Sequence, residues 1–580
     1  MRKTQMLSEK DTILPGPRVR ATQSRWKTVG KLILHGILIA LALRGCFHLL
    51  GMLTTHRAED RAASAAKCVQ VDPLIPGRSS DKLTDMETYL DSSEFRDCAV
   101  ENMAGAIRIK TESFDNMGAI GDDARWDVFF EFAAYLEKTF PLVHKHLKLE
   151  KVNTHGLLYT WQGTDAAKKP TVFMAHQDVV PVAEATKEEW IHPPYSGYFD
   201  GTFIWGRGSQ DCKNNLIGLL EAVELLLKAE YVPARTLILS FGFDEEISGF
   251  QGGAPLAEVL LKRYGKDGVA IIVDEGAGSA DFWGTTYAMP GVGEKGYIDI
   301  EIIIRMPGGH SSIPPAHTGI GVAAELITLV EAHPYEPRFH AENPFLGLLE
   351  CANAWSHDFP ENLRKHLPWK EPTCPAKKDK LALEAAKLGA TYKYLFTTSV
   401  ATDVISGGIK SNALPERTRV LVNHRVNVGD STNDVKSQIT HLTQRIASKY
   451  NLTVHAFDNA PETPSSITLK SVHALEPAPV TPTSVDGTTP YGVLSGTTRG
   501  LYGEDILMAP GIMTGNTDTK FYWDLTKHIF RYAPGFVPGK PELLPDGIHT
   551  VNEKLNIIGH IKGAQWYSMF IRNMDEAELS

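Results

Sequence analysis

The stretch Phe173–Pro181, FMAHQDVVP, anchors the interpretation of the whole sequence. An apolar run that is typical of a buried strand ends there in a histidine and a carboxylate two residues apart. Side chains alternate along a strand, so His176 and Asp178 share a face. Imidazole is the commonest metal ligand, and a nearby carboxylate can orient its ring or the water that it helps to activate. Alone, the His-x-Asp pair is a weak signal, and its meaning depends on which residues follow the neighbouring strands.

The composition describes a large folded chain with an acidic balance. Its 580 residues are 43% hydrophobic, which is ample for large cores, and the net charge is −10. Basic residues do not cluster in the body of the chain, so we expect no nucleic-acid partner.

The N-terminal sequence predicts a membrane anchor. Residues 1–31 carry eight basic and two acidic side chains, and residues 32–53 are mostly apolar, although His35, Arg44 and His48 interrupt the run. We expect a cytosolic tail over 1–31, a signal-anchor transmembrane helix over 32–53, and a body in a vacuolar or other secretory lumen. A cleaved signal peptide and a peripheral helix are the alternatives.

Cysteines and glycosylation signals fit that compartment. Four of the six cysteines, at positions 68, 98, 351 and 374, could pair in an oxidising lumen. No Cys-x-x-Cys spacing occurs, so a cysteine zinc site is not supported. Asn451 begins the only N-glycosylation sequon.

Acidic residues follow several predicted strands. Asp211 stands in the loop 206–213, just before a helix with apolar residues at helical spacing. Strands predicted over 236–243 and 268–273 end in Asp244-Glu245-Glu246 and Asp274-Glu275. Strands alternating with helices predict an α/β fold, with a mixed sheet flanked by helices. Ligands of such sheets collect beyond the carboxyl ends of the strands, where these acids lie.

The sequence also predicts an inserted domain. From about Glu294 the pattern changes to isoleucines that alternate with other residues, then to a helix, further strands and a second capped helix. We expect an α+β lid or dimerisation domain of βαββαβ type over 294–457, inserted between catalytic parts at 102–293 and 458–580, after a stalk over 54–101. No chemistry is predicted for residues 334–393.

Seven candidate residues fall in loops beyond strands: His176, Asp178, Asp211, Glu245, Glu246, Asp274 and His549. Each has a plainer interpretation, since Asp211 could cap its helix and Glu245 could be solvated. Together they are harder to dismiss, because so many acids near one sheet edge repel each other unless cations compensate. Imidazole and carboxylate ligands without cysteine favour zinc, with cobalt or manganese as alternatives.

The motifs around these residues resemble the di-zinc exopeptidase family of carboxypeptidase S, aminoacylase and glutamate carboxypeptidase. The resemblance covers residues 125–572 and rests on these segments: Met174-Ala-His176-Gln-Asp178, Gly206-Arg-Gly-Ser-Gln-Asp211-Cys-Lys213, Asp244-Glu-Glu-Ile-Ser-Gly249, Val273-Asp-Glu-Gly276, Gly309-His310 and Gly547-Ile-His549-Thr-Val-Asn-Glu553.

The resemblance implies roles for the candidates. Asp211 bridges two zinc ions, His176 and Asp274 complete one site, and Glu246 and His549 complete the other. The catalytic residues are then Glu245, as general base, and Asp178, which orients His176.

It also implies a substrate site on the lid. Asn412 and Arg425 hold a substrate carboxylate, and His310 donates to the oxyanion. In several relatives the lid histidine comes from a second subunit, so a homodimer through the lid is possible.

The predicted function is a zinc metallo-carboxypeptidase that removes the C-terminal residue of small Gly-X peptides through a di-zinc-activated water. An N-acyl-amino-acid hydrolase or synthase with the same metal site is the alternative, because both reactions involve an amide next to a free carboxylate. A non-catalytic relative would be expected to lack Glu245 or a ligand, and no Gly-x-Ser-x-Gly elbow supports a serine hydrolase.

Overall fold

The computed structural model describes residues 23–372, 374, 377–537, 539–540 and 547–579. Its helices are α1 Gln23–Lys67, α2 Asp81–Leu90, α3 Ser93–Arg108, α4 Val128–Thr139, α5 Pro141–His146, α6 Lys213–Lys228, α7 Gly253–Tyr264, α8 Gly319–Glu331, α9 Pro344–Trp355, α10 Glu361–Arg364, α11 Lys380–Ala386, α12 Ala390–Lys393, α13 Thr432–Tyr450, α14 Pro490–Tyr502 and α15 Ile557–Glu576.

The strands are β1 Lys148–Val152, β2 Gly156–Trp161, β3 Thr171–His176, β4 Tyr198–Phe199, β5 Phe203–Trp205, β6 Leu237–Gly242, β7 Ile271–Ala277, β8 Ser279–Phe282, β9 Thr285–Ala288, β10 Gly291–Glu294, β11 Gly296–Arg305, β12 Gly309–His310, β13 Ala401–Gly407, β14 Ala413–Leu414, β15 Arg417–Val426, β16 Thr453–Ala456, β17 Ser466–Leu475, β18 Leu507–Met508, β19 Gly511–Met513, β20 Ile529–Tyr532 and β21 Lys554–Asn556.

The chain divides into two compact units that meet between Ala62 and Ala63. Most of α1 belongs to the first unit, and its side chains from Leu32 to Leu43 are exposed. The predicted transmembrane anchor, and with it the predicted membrane localisation, is wrong: within the described residues no helix is long and apolar enough to cross a membrane. The run from Leu32 to Leu43, apolar except for His35, spans roughly 18 Å of helix, whereas a bilayer core is about 30 Å thick.

The second unit is built on an eight-stranded mixed sheet. Its strand order is β1-β2-β6-β3-β7-β20-β10-β19, and the four neighbours β6, β3, β7 and β20 run parallel. Every residue of β3 and of β6 is buried, as expected for strands covered on both faces. The predicted mixed α/β sheet is confirmed, and its parallel centre brings several carboxyl strand ends to one edge.

Helices cover both faces of this sheet. Phe173 on β3 packs against Tyr567 and Phe570 of α15, with ring centroids 5.6 and 5.9 Å apart. Its neighbours Val172 and Met174 point the other way, into a core shared with α7. Helix α6 joins the first of these cores through leucines of its apolar face, so the loop before α6 is held at the carboxyl edge of the sheet.

A smaller sheet has the order β13-β15-β11-β17-β16. The alternating isoleucines of β11, from Ile298 to Ile304, are buried against α8 and α13, as their spacing predicts. Helix α13 begins with the predicted capping box of Ser431 and Asp434. Strand β17 lies between β11 and β16 in this sheet, and only its first half is buried. The domain boundaries stay a prediction.

The segment 334–393 folds as helices α9 to α12, which form a separate core with Tyr287 and Met289. A disulfide joins Cys68 to Cys351 of α9. The other two cysteines that the sequence left able to pair, Cys98 and Cys374, are free.

Candidate metal centre

Three neighbouring parallel strands deliver acidic residues and a histidine to one place. His176 is the last residue of β3, and the Glu245–Ile247 turn of 3-10 helix follows β6. Glu275 lies in β7, with its Oε1 3.2 Å from Nε2 of His176. The carboxyl ends of adjacent parallel strands meet at one sheet edge, which is why these residues converge.

Two loops complete the cluster. Asp211 lies just before α6, and its Oδ1 is 3.0 Å from His176 Nε2. Its other oxygen, Oδ2, is 3.1 Å from His549 Nε2. His549 Nε2 also lies 3.1 Å from Glu246 Oε2. The two oxygens of Asp211 therefore face two different imidazoles.

The contacts define two groups of possible metal-binding atoms. We call the group of His176, Asp211 and Glu275 the strand-side position, and the group of Asp211, Glu246 and His549 the loop-side position. Within each group the donor atoms lie within 4.8 Å of one another. Asp211 belongs to both, the arrangement that two closely spaced cations require.

Asp178 supports this arrangement without belonging to either group. Its carboxylate accepts hydrogen bonds from Ser113 Oγ at 2.7 Å and from the backbone N–H groups of Glu245 and Glu246 at 3.1 and 3.2 Å. His176 Nδ1 lies 2.9 Å from the Asp178 carbonyl oxygen. This buried residue therefore fixes both the His176 ring and the turn that carries the two glutamates.

Glu275, rather than the predicted Asp274, faces His176. Strand β7 extends to Ala277, beyond the predicted end at 273, so residues 274 and 275 are consecutive strand residues that point to opposite faces. Asp274 belongs to neither metal-binding group and does not line the cavity. The Asp-Glu-Gly motif brings two acids to the sheet edge, and the strand register determines which of them faces His176.

Cys212 lies beside the strand-side position but is fully buried. Its sulfur accepts a hydrogen bond from the His176 backbone N–H at 3.2 Å. Burial raises the pKa of the thiol well above its usual value, so this cysteine stays protonated and is a poor metal ligand.

Burial makes the acids of this centre hard to ionise together. It raises the pKa of Glu275 to about 8 and that of Asp274 to about 6, and it raises the pKa of Glu245. Burial opposes ionisation of Asp211 as well, but hydrogen bonds from His176 and His549 hold its pKa well below the usual range. Positive charge placed among these groups would favour their ionised forms.

The donor set fits divalent cations. Imidazole nitrogens and carboxylate oxygens are ligands for zinc and neighbouring transition metals. Oε1 of Glu246 is buried and has no hydrogen-bond partner among the described residues. Such an orphaned oxygen in a buried cluster is explained by an ion that binds there.

A cavity of about 510 Å³ opens onto the centre and is lined by Asp211, Glu245, Glu246, Glu275 and His549. Part of it follows the seam between α6 and α15, where Gly218, Gly559 and Gly563 line it. We call this part of the cavity the inner arm. A Cβ added at Gly218 or Gly563 would find its nearest neighbour at 3.7 Å, so packing does not require glycine at either position.

The three lid residues predicted to bind substrate lie apart from the metal-binding groups. His310 on β12 and Asn412, in the turn just before the neighbouring strand β14, are exposed, and neither lines the cavity. Arg425, on β15, places Nη1 3.3 Å from Oδ1 of Asn516, a cavity residue that the sequence did not single out. Of these three lid residues, only Arg425 contacts a residue that lines the cavity of its own chain.

Comparison with known proteins identifies the family. The Peptidase family M20/M25/M40 model matches residues 172–573. The chain is 40% identical to Carboxypeptidase S of Saccharomyces cerevisiae over 527 residues, which cover 88% of this chain and 89% of that protein. It is 31% identical over 494 residues to the N-fatty-acyl-amino acid synthase/hydrolase of Homo sapiens, covering 83% and 89%.

Solved structures agree on the fold. Human carnosine dipeptidase 1 superposes with a TM-score of 0.57 at 15% identity, over 86% of this chain and 100% of the other. The M20 family metallo-carboxypeptidase of Sulfolobus solfataricus gives 0.55 at 19% identity, over 83% and 99%. Because the family model and the relatives span most of the sequence, this chain belongs to peptidase family M20/M25/M40 and is a metal-dependent peptidase.

Proposed function

We propose that this protein is a metallo-carboxypeptidase that removes the C-terminal residue of small peptides. The observation that carries the proposal is the pair of imidazole and carboxylate positions that share Asp211 at the floor of a cavity. The similarity to Carboxypeptidase S and to an M20 metallo-carboxypeptidase supports the same activity.

We propose two zinc ions as the cofactor. Asp211 would bridge them, with His176 and Glu275 at the strand-side position and Glu246 and His549 at the loop-side position. Glu275 takes the place that the sequence assigned to Asp274, because its carboxylate is the one that faces His176. Bound zinc would supply a Lewis acid for the scissile carbonyl and would lower the pKa of water to near neutrality.

Glu245 is the proposed general base. It lines the cavity beside the metal-binding groups but belongs to neither. Its raised pKa suits a group that accepts a proton from water and passes it to the leaving amine. Asp178 positions this turn through the backbone N–H of Glu245, so both residues act in catalysis although only Glu245 moves a proton.

The terminal carboxylate of the substrate is assigned to Arg425. Its guanidinium can bind a carboxylate through two parallel hydrogen bonds, and Asn516 connects it to the cavity. We propose that His310 and Asn412 reach a cavity in a second copy of the chain, since both are exposed on the lid and lie outside the cavity of their own chain. This would make the active enzyme a homodimer.

The test compares one dipeptide with a free and an amidated C-terminus, on wild type and on Arg425→Lys. We expect wild type to cleave the free form far better. Arg425→Lys removes the planar guanidinium, which should cost about 1.5–3 kcal/mol in transition-state binding, the range for hydrogen bonds to charged groups. If wild type cleaves both forms equally well, Arg425 does not hold the terminal carboxylate.

A second candidate activity is hydrolysis or synthesis of N-acyl amino acids. The inner arm favours it, because Gly559 and Tyr567 both line the cavity and lie roughly 12 Å apart along α15. This is more length than a single glycyl residue fills. Parallel assays of glycyl-leucine and a long-chain N-acyl-leucine separate the two activities.

A further inference from the structure

His549 occupies a position that is poorly fixed by its own surroundings. Its side chain is 50% exposed, and its backbone has a φ of 58°. Left-handed backbone is unfavourable for a residue with a Cβ, so other contacts must hold this loop in place. Its partner at the loop-side position, Asp211, comes from a loop more than 300 residues earlier in the chain.

A buried ion pair connects the two loops. Glu553, four residues after His549, is fully buried, and its Oε2 lies 2.5 Å from Nη1 of Arg207. Arg207 lies four residues before Asp211 and is 4% exposed. Each partner thus belongs to the loop that carries one of the two residues facing each other across the loop-side position.

Each side chain of the pair also binds the backbone of the opposite loop. Oε1 of Glu553 accepts hydrogen bonds from the N–H groups of Gln210 and Asp211, at 2.8 and 3.3 Å. In the other direction, Nη2 of Arg207 donates to the carbonyl oxygen of Thr550, the residue after His549, at 3.2 Å. The contacts are reciprocal, so a shift of either loop breaks bonds made by both side chains.

The strand-side position depends on this ion pair less, because only Asp211 connects it to the two loops. His176 and Glu275 are strand residues, and the His176 ring is held by Asp178. Only Asp211 is common to both positions. Loosening the ion pair should therefore change the separation of His549 from Asp211 more than that of His176 from Glu275.

We infer that Arg207 and Glu553 are positioning residues that set the affinity of the loop-side position for its metal ion. The inference rests on the proposed two-ion centre. It assigns neither residue a contact with substrate or metal. Partners that support metal ligands in this indirect way typically change metal affinity by roughly 10–100-fold when they are mutated.

The test titrates the full chain, stripped with a chelator, with Co²⁺ and follows both the binding isotherm and the visible absorption. The variants are Glu553→Gln and Arg207→Lys. Glu350→Gln is the matched control, because Glu350 is also buried and ion-paired, to Lys67 at 2.7 Å, away from the centre. Thermal unfolding of each apo protein measures the loss of stability separately.

We expect wild type to bind two ions, and Glu350→Gln to bind each of them with the same affinity as wild type does. Glu553→Gln and Arg207→Lys should bind the second ion at least ~10-fold more weakly than wild type does, with a smaller loss of affinity for the first ion. The inference is overturned if both variants bind two ions with wild-type affinities, or if the affinities for both ions fall equally. If Glu553→Gln does not fold, Arg207→Lys decides alone, since it keeps the charge and the Glu553 backbone contacts. A wild type that binds fewer than two ions would contradict the proposed centre itself.

Discussion

At the scale of single residues, the role of Glu245 can be separated from metal binding. Glutamine at this position keeps the shape of the side chain but cannot accept the proton from water. We expect Glu245→Gln to bind metal normally and to lower kcat by roughly a hundredfold or more, the scale of a lost general base. Metal analysis and steady-state kinetics on the same preparation check this. A change confined to KM would assign Glu245 to substrate binding.

Asp274 and Glu275 offer a direct comparison of neighbouring acids. Because Glu275 faces His176 and Asp274 belongs to neither metal-binding group, Glu275→Gln should weaken the binding of one metal ion by at least ~10-fold, and Asp274→Asn should have a smaller effect. Metal-binding titrations of both variants measure the difference. The opposite ranking would restore Asp274 to the role that the sequence motif assigned to it.

At the scale of elements, β15 carries a buried histidine that makes stability depend on pH. His424 is fully buried against Tyr335, and burial lowers its pKa to about 4. Between about pH 6.5 and 4, His424 binds a proton in the unfolded chain but not in the folded chain. The free energy of unfolding therefore falls as the pH falls, by about 3 kcal/mol in total.

His424→Leu should remove that part of the acid sensitivity. Melting temperatures of wild type and variant at pH 7 and pH 4.5 test it, with the wild type losing more on acidification. Equal losses would mean that other groups account for the acid sensitivity of this sheet.

The inner arm between α6 and α15 makes a prediction about substrate length. Glycine inside a helix costs roughly 0.5–1 kcal/mol relative to alanine, yet a Cβ at Gly563 meets no atom closer than 3.7 Å. Gly563 lines the cavity, so a larger side chain at this position would occupy part of the inner arm. Gly563→Leu should lower kcat/KM for a long-chain N-acyl-leucine at least ~10-fold more than for glycyl-leucine, because a filled arm excludes the longer group.

Gly321→Leu is the control for that substitution, because Gly321 is exposed on α8 and a Cβ there also finds its nearest neighbour at 3.7 Å. It should leave both substrates unchanged. Equal losses for both substrates in Gly563→Leu would show that the arm does not receive the acyl group.

At the scale of the whole molecule, the sequence predicted the family and the mixed α/β sheet correctly. Strand ends such as His176 and short motifs such as Asp244-Glu-Glu are local, and local pattern is what a sequence displays. It missed Glu275 because the choice between adjacent acids depends on where β7 ends. It also missed the link from Arg425 to Asn516, which joins residues distant in the chain.

The prediction of a membrane anchor was wrong for a different reason. Its twelve-residue run from Leu32 to Leu43, apolar except for His35, was extended across Arg44 to reach a spanning length. The apolar character was correctly seen, but the described helix does not sustain it over a bilayer thickness.

The most direct test of the account is to restore metal to the chelated enzyme in known amounts while following release of the C-terminal residue from a dipeptide. We predict no activity without metal, and full activity only as two zinc ions bind each chain. Activity that persists in the metal-free protein, or that reaches its maximum with one ion bound, would contradict the two-ion carboxypeptidase centre.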